Sequence, residues 1–175
     1  MALPELIVDV LARPLRLVPT LAHSQALAMA LNRVMAGAIA DGELDFLEGR
    51  RVAIEVDDLK IRFRLGLERG RIRGFGESGR ADATIAGSLR EMLQLAARRE
   101  DADTLFFQRR LRLAGDTELG LYLKNFLDAF EPPPGFAPLV RALERLAALA
   151  PARSDPPLRG PSAGRSPLAG ARRRG

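Results

Sequence analysis

Few residues in this chain could perform chemistry, and their spacing argues against it. There is one histidine, His23, and no cysteine. That excludes a disulfide framework, a thiolate metal site and a thiol nucleophile, and it leaves a histidine metal site or a Ser-His triad a single candidate. His23 stands near the start of an expected helix and reads as a surface or capping residue. Gly74-Phe75-Gly76-Glu77-Ser78-Gly79 matches G-x-G-x-x-G as a string. A dinucleotide fingerprint needs a helix directly after its glycines, but the strand-like residues 81–86 (ADATIA) follow, so the string reads as a flexible hairpin connection. Ser78 lacks the G-x-S-x-G elbow of a nucleophile. Asp57-Asp58, and Glu100 with Asp101 and Asp103, read as turn and cap acids rather than a paired catalytic set. No catalytic residue, metal site or cofactor is expected.

Apolar residues dominate the inventory instead. Leu105-Phe106-Phe107 stands greasy among charged neighbours. Downstream, Leu119, Tyr122, Leu123, Phe126, Leu127 and Phe130 recur at helical spacing. Such a stripe builds a core, and it equally lines a cavity for an apolar ligand; composition does not separate a filled interior from an open one.

The elements that must position these residues follow from periodicity. Residues 3–13 read as a short amphipathic helix ended by Pro14, either a packing arm or a membrane-interface segment. Residues 21–40 read as one longer helix closed by Asp41-Gly42. Period-two alternation then gives strands over 51–56 and 59–65, paired as an antiparallel hairpin about Asp57-Asp58. The second of these is expected to turn Lys60, Arg62 and Arg64 to water. Further strands are expected over 71–75 and 82–86. Ser88 with Glu91 forms a capping box for the next helix, whose stripe includes Met92. A helical turn over 101–107, a strand over 110–114 with Leu111 and Leu113 inward, and a helix capped by Asp116 complete the body. Pro132-Pro133-Pro134-Gly135 ends that helix, and an amphipathic segment runs from Phe136 to Leu149. The fold class is α+β: a five-stranded, mostly antiparallel sheet covered by helices. The organisation is an amphipathic arm (1–18), a body (19–131), a C-terminal amphipathic helix (132–150) and a disordered Arg-rich tail (151–175).

The net charge of +5 lies wholly in the tail, whose six arginines face one acid; residues 1–150 are formally neutral. A nucleic-acid binder carries its basic surplus on the folded surface, so nucleic acid is not an expected partner. Glu5 and Asp9 stand where a signal peptide needs bases, and no apolar run approaches the ~18 residues of a spanning helix. The chain is expected to be cytoplasmic, without a leader or span.

Two blocks carry a resemblance. The first is Asp41-Gly42-Glu43-Leu44-Asp45-Phe46-Leu47-Glu48-Gly49-Arg50. The second runs from Asp103-Thr104-Leu105-Phe106-Phe107-Gln108-Arg109-Arg110 through Gly115-Asp116-Thr117-Glu118-Leu119-Gly120-Leu121-Tyr122 to Lys124-Asn125 and Asp128-Ala129. Over roughly residues 20–130 the chain resembles the bacterial ubiquinone biosynthesis accessory factor UbiT family, which has a sterol-carrier-type lipid-binding domain. The resemblance implies an apolar tunnel between sheet and helices, and a non-catalytic role in oxygen-independent ubiquinone synthesis beside the UbiU and UbiV proteins. It also implies ligands that are isoprenoid quinone precursors or phospholipid.

Physical chemistry makes that role coherent. Each buried methylene is worth ~0.8 kcal/mol, so a prenyl tail of tens of carbons loses ~20 kcal/mol or more on entering water alone. The expected lipid-facing residues are Phe106, Phe107, Leu119, Leu123 and Phe126, with Met92 across from them. The two chain ends are expected to dock the protein peripherally on the inner membrane surface. The competing reading is a non-catalytic scaffold whose apolar groove takes a partner helix.

Overall fold

The computed structural model describes residues 18–149; the expected amphipathic arm and Arg-rich tail lie outside the described residues. The strands β1 (Arg51–Val56), β2 (Ile61–Glu68), β3 (Arg71–Gly74), β4 (Ala83–Gly87) and β5 (Arg112–Gly115) form one sheet in the order β3-β2-β1-β4-β5. The β1–β2, β2–β3 and β4–β5 pairs are antiparallel, and β1–β4 is parallel, so the sheet is mixed.

The register sorts side chains onto two faces. Val52 opposes Leu65, Ile54 opposes Phe63, Val56 opposes Ile61, and Ile85 stands beside Ile54. Period-two geometry puts all of these on one face. The described helices are α1 (Thr20–Val34), α2 (Ala36–Ala40), α3 (Leu89–Ala96), α4 (Ala102–Phe107), α5 (Thr117–Ala129) and α6 (Ala137–Leu149); α1 lies against β2 and β3, and α5 against β4 and β5. Ala28 of α1, Ala38 of α2 and Phe126 of α5 pack with Leu44, Leu65, Leu67 and Ile72 in one buried cluster. Leu119 and Leu123 of α5 pack with Val52, Ala83, Ile85, Leu105 and Leu111 in a second. Phe46 and Leu47 touch both clusters and join them.

The expected helix over 21–40 is interrupted at Met35, where the backbone leaves helical geometry (φ −101°, ψ 18°). Gly42 (φ +76°) then ends α2, with the Glu43 N–H donating to Ala38 O at 2.9 Å, the left-handed cap that glycine makes without steric cost. The strand expected over 110–114 begins two residues later: Leu111 is buried ahead of it, and Leu113, opposite Ile85 and against Gly120 of α5, faces inward at the sheet edge and is part exposed. The Ser88 N–H donates to the Glu91 carboxylate at 3.1 Å, as the capping box requires. On the far side of α3, α6 packs along it, with Arg99 Nε 3.7 Å from Glu144.

The second face of the sheet corrects the reading of Arg64. Alternation along β2 turns this residue to water, yet it is buried, because the chain between β3 and β4 crosses β2 and β1 there. The Arg64 guanidinium donates to the carbonyls of Gly76, Glu77 and Gly79. Arg51 lies 4.4 Å over the Phe75 ring beside it. The G-x-G-x-x-G string thus presents carbonyl oxygens to an internal cation, the opposite polarity to a phosphate cradle. Nor is Gly74 a loosening residue. It lies in β3 directly beneath α1, where a β-carbon would stand 2.3 Å from the Gln25 nitrogen.

Candidate functional site

The apolar layer between the sheet and α5 is the site the sequence points to, and α5 is placed there by its ends. Asp116 caps it, its carboxylate accepting from the Leu119 N–H at 3.0 Å. That bond, helped by Arg50 3.4 Å away, holds the Asp116 carboxyl below the usual carboxylate range. At the other end Arg98, in a left-handed conformation (φ +56°) after α3, donates to the carbonyls of Leu127, Asp128 and Phe130. A cation on the last carbonyls of a helix satisfies orphan acceptors and complements the helix dipole.

The short helix α4 is tied to α5 along its length. Asp101 caps it, accepting from the Thr104 N–H at 2.6 Å and the Thr104 hydroxyl at 2.9 Å, which lowers the Asp101 pKa. The Ala102 N–H donates to Asp128 at 2.7 Å, and Lys124 reaches Asp103 at 2.5 Å. The Asp103 bond raises the Lys124 pKa. Arg110, just past α4, binds Glu100 and Gln94 and lies 3.7 Å from the buried carboxylate of Glu91. These polar ties surround the layer and do not enter it.

Four of the six expected lipid-facing residues meet in one cluster: Leu119 and Leu123 are buried in it, and Met92 and Phe106 pack against it half-buried. Phe126 belongs to the adjoining cluster beneath α1, tilted against Phe46 and Phe130 at ring separations of 6.3 and 5.4 Å. Phe107 joins neither. Its side chain is turned out at the end of α4 and is 93% exposed, so it lines no interior space.

A channel wide enough for a prenyl chain would leave its walls accessible. Leu105, Leu111, Leu119, Leu123 and Ile85 are buried, while Met92, Leu95, Phe106 and Leu127 around them are part-exposed, so the layer is packed at its centre and accessible along this edge. A notch of about 60 Å³ near the ends of α3 and α5 is lined by Leu95 and Leu127 together with the charged Arg98, Glu100, Asp101 and Asp128. A larger concavity, about 330 Å³, lies at the start of α1 and is lined by Glu55, Lys60, Arg62 and Glu77 with a few apolar neighbours. Its mixed charges suit water rather than a hydrocarbon tail.

Comparison with known proteins decides the family. Residues 30–128 match the SCP-2 sterol transfer family. The chain is 41% identical over 123 residues, 70% of each protein, to the ubiquinone biosynthesis accessory factor UbiT of Escherichia coli K12, and equally so to that of strain O157:H7. It belongs to the UbiT branch of the SCP-2 sterol transfer family. A solved structure described as the UbiJ-SCP2 ubiquinone synthesis protein shares the fold, with TM-score 0.51, 19% identity, and coverage of 61% of this chain and 94% of that one.

Membership in the UbiT family makes this an accessory factor of ubiquinone biosynthesis with a sterol-carrier domain, not an enzyme. Among the described residues no helix is long and apolar enough to cross a membrane. Two features of this UbiT-type layer escape a reading of the sequence. Phe46 and Leu47, which lie inside the first family block, bridge the two clusters, and Tyr122 stacks on Phe46 at 5.8 Å. Their presence in a conspicuous block is the available signal. His23 is the second: its Nε2–H donates to Arg62 O at 2.7 Å and its ring meets Phe63 edge-on, so it ties α1 to β2 rather than facing solvent.

Proposed function

We propose that this protein admits the hydrocarbon tail of an isoprenoid quinone precursor, or of a phospholipid, between its sheet and α5, and holds the polar head out to soluble enzymes. The observation that carries the reading is the apolar layer between the sheet and α5, with part-exposed Met92, Leu95, Phe106 and Leu127 at its edge, in a sterol-carrier-family chain. Because the centre of the layer is packed, a tail enters from this edge as α3 and α5 separate. The buried methylenes of the tail, at ~0.8 kcal/mol each, offset the contacts that separation breaks. Met92, Phe106, Leu119, Leu123 and Phe126 then line the opened space. By family likeness the recipients are the hydroxylating UbiU and UbiV proteins. The working place is the cytoplasmic side of the inner membrane, reached peripherally, with residues 19–131 as the binding unit and the 1–18 and 151–175 ends as docking elements.

Organic extraction of the purified chain followed by mass spectrometry tests this. A co-purified prenyl phenol or phospholipid in near-stoichiometric amount supports it. A lipid-free chain that instead holds a stable protein partner supports the scaffold reading, which the packed centre of the layer favours.

A further inference from the structure

The end of α4 is built to present an aromatic ring to the outside. Phe107 is 93% exposed, yet it does not sit on a loose loop. The turn behind it is closed by three backbone bonds, Arg109 N–H to Phe106 O at 3.0 Å, Arg110 N–H to Leu105 O at 2.9 Å and Leu111 N–H to Leu105 O at 3.0 Å. Arg109 takes a left-handed conformation (φ +59°) to make that turn. The adjoining Phe106 packs half-buried on the interior cluster, so the tip stands one residue along the chain from the layer.

Charge says what the tip meets. Residues 104–115 carry three arginines and no acid. Arg110 is satisfied by Glu100 and Glu91, and Arg112 by Asp57. Arg109, exposed beside Phe107, has no ion-pair partner among the described residues. An exposed ring flanked by an unneutralised guanidinium suits the boundary of an anionic bilayer, where the ring enters the acyl region and the cation stays among head-group phosphates. We propose that the Phe107–Arg109 tip is a docking point of the folded body on an anionic membrane, in addition to the chain ends, placing the apolar layer next to the lipid it is to extract. The inference rests on the lipid-binding reading but is tested apart from it.

The chain has no tryptophan, so Phe107→Trp in the full-length protein is a unique fluorescent reporter at a site whose exposure makes the exchange harmless to the fold. With vesicles of phosphatidylcholine and phosphatidylglycerol, the emission of the indole at position 107 moves to the blue and is quenched by brominated acyl chains. The indole of the control variant Met29→Trp, at an exposed position on α1, is not. Adding Arg109→Gln weakens the vesicle response about fivefold. Unchanged emission from the Phe107→Trp protein, or equal quenching in both variants, overturns the proposal, as does a response to a protein partner but not to vesicles. Native mass spectrometry with a polyprenyl phenol supplied in detergent reads lipid binding separately. A chain that docks but carries nothing keeps this proposal and refutes the carrier reading; one that carries lipid while the reporter stays unmoved does the reverse.

Discussion

Gly74 passes so close beneath α1 that a β-carbon on it would stand 2.3 Å from the carbonyl carbon of Ser24. Both groups are backbone, so neither can yield without moving a strand or a helix. Gly120 contrasts with it: the atom in the way there is Leu113 Cδ2, the tip of a part-exposed side chain, also at 2.3 Å. Gly74→Ala is therefore expected to destabilise the fold by about 3 kcal/mol or more. Gly120→Ala gains up to ~1 kcal/mol of helix propensity against a small repacking cost and is close to neutral. Urea unfolding of the two variants checks the contrast, and equal midpoints would contradict the account of how α1 seats on β3.

Arg64 is the internal support of the chain that crosses the second face of the sheet. Arg64→Ala is expected to cost about 2 kcal/mol through lost charged hydrogen bonds. Arg64→Met, which keeps volume and removes the buried charge, costs less. Because the carbonyls it leaves lie near the surface, the loss is local. Hydrogen exchange should quicken at the amides of Phe75 and Asp82, which bond Arg64 O and Arg51 O across the crossing, while β1–β2 pairing stays protected.

The helix caps make a pH prediction with a definite sign. The carboxyls of Asp101 and Asp116 are held below their ordinary range, chiefly by backbone N–H donors of α4 and α5. A folded pKa below the unfolded one gives stability that is full above about pH 4 and is lost as pH falls through the folded pKa. Lys124 is raised, chiefly by Asp103. Its contribution is full below about pH 10 and is lost as pH climbs through the folded value. Melting temperature followed from pH 2 to 6 should therefore fall less steeply in Asp116→Asn than in the wild type, with no such difference between the two at pH 9–11.

Neighbouring positions on α4 should behave oppositely. Leu105 is fully enclosed, and Leu105→Ala should cost about 2–5 kcal/mol. Phe107→Ser, two residues on, should change stability by no more than about 0.5 kcal/mol. Thermal melts of the pair read this directly; a large loss at position 107 would mean that the ring is covered.

Local pattern carries most of the fold. The Ser88–Glu91 box, the Asp101 and Asp116 caps and the α5 stripe are each written within a few residues, and each forms as its spacing requires; the two strands expected over 51–56 and 59–65 also form, but the second runs from Ile61 to Glu68 and its alternation breaks at Arg64. What escapes is set by distant chain. Arg64 reads as a wet strand residue because nothing near it announces that residues 75–82 will cross above. Gly74 reads as part of a flexible connection because α1, the element that excludes a side chain there, lies about fifty residues away. Phe107 continues the greasy run of Leu105 and Phe106, but a six-residue helix turns the third of three consecutive residues away from the face that buries the first. The apolar layer is legible as composition. Whether it is filled depends on how Phe46, Leu47 and the α5 stripe interdigitate, which no local pattern records.

In the proposed function, α3 and α5 must part to admit a lipid tail. The chain has no cysteine, so Leu95→Cys with Leu127→Cys, joined by a short bis-maleimide, bolts the two helix ends together across the gap they line. Binding of a polyprenyl phenol is then measured by native mass spectrometry, with the uncross-linked double variant beside it. The account predicts one lipid per chain in the open protein and none in the bolted one, with unchanged circular dichroism; an undiminished lipid adduct in the bolted protein would contradict it.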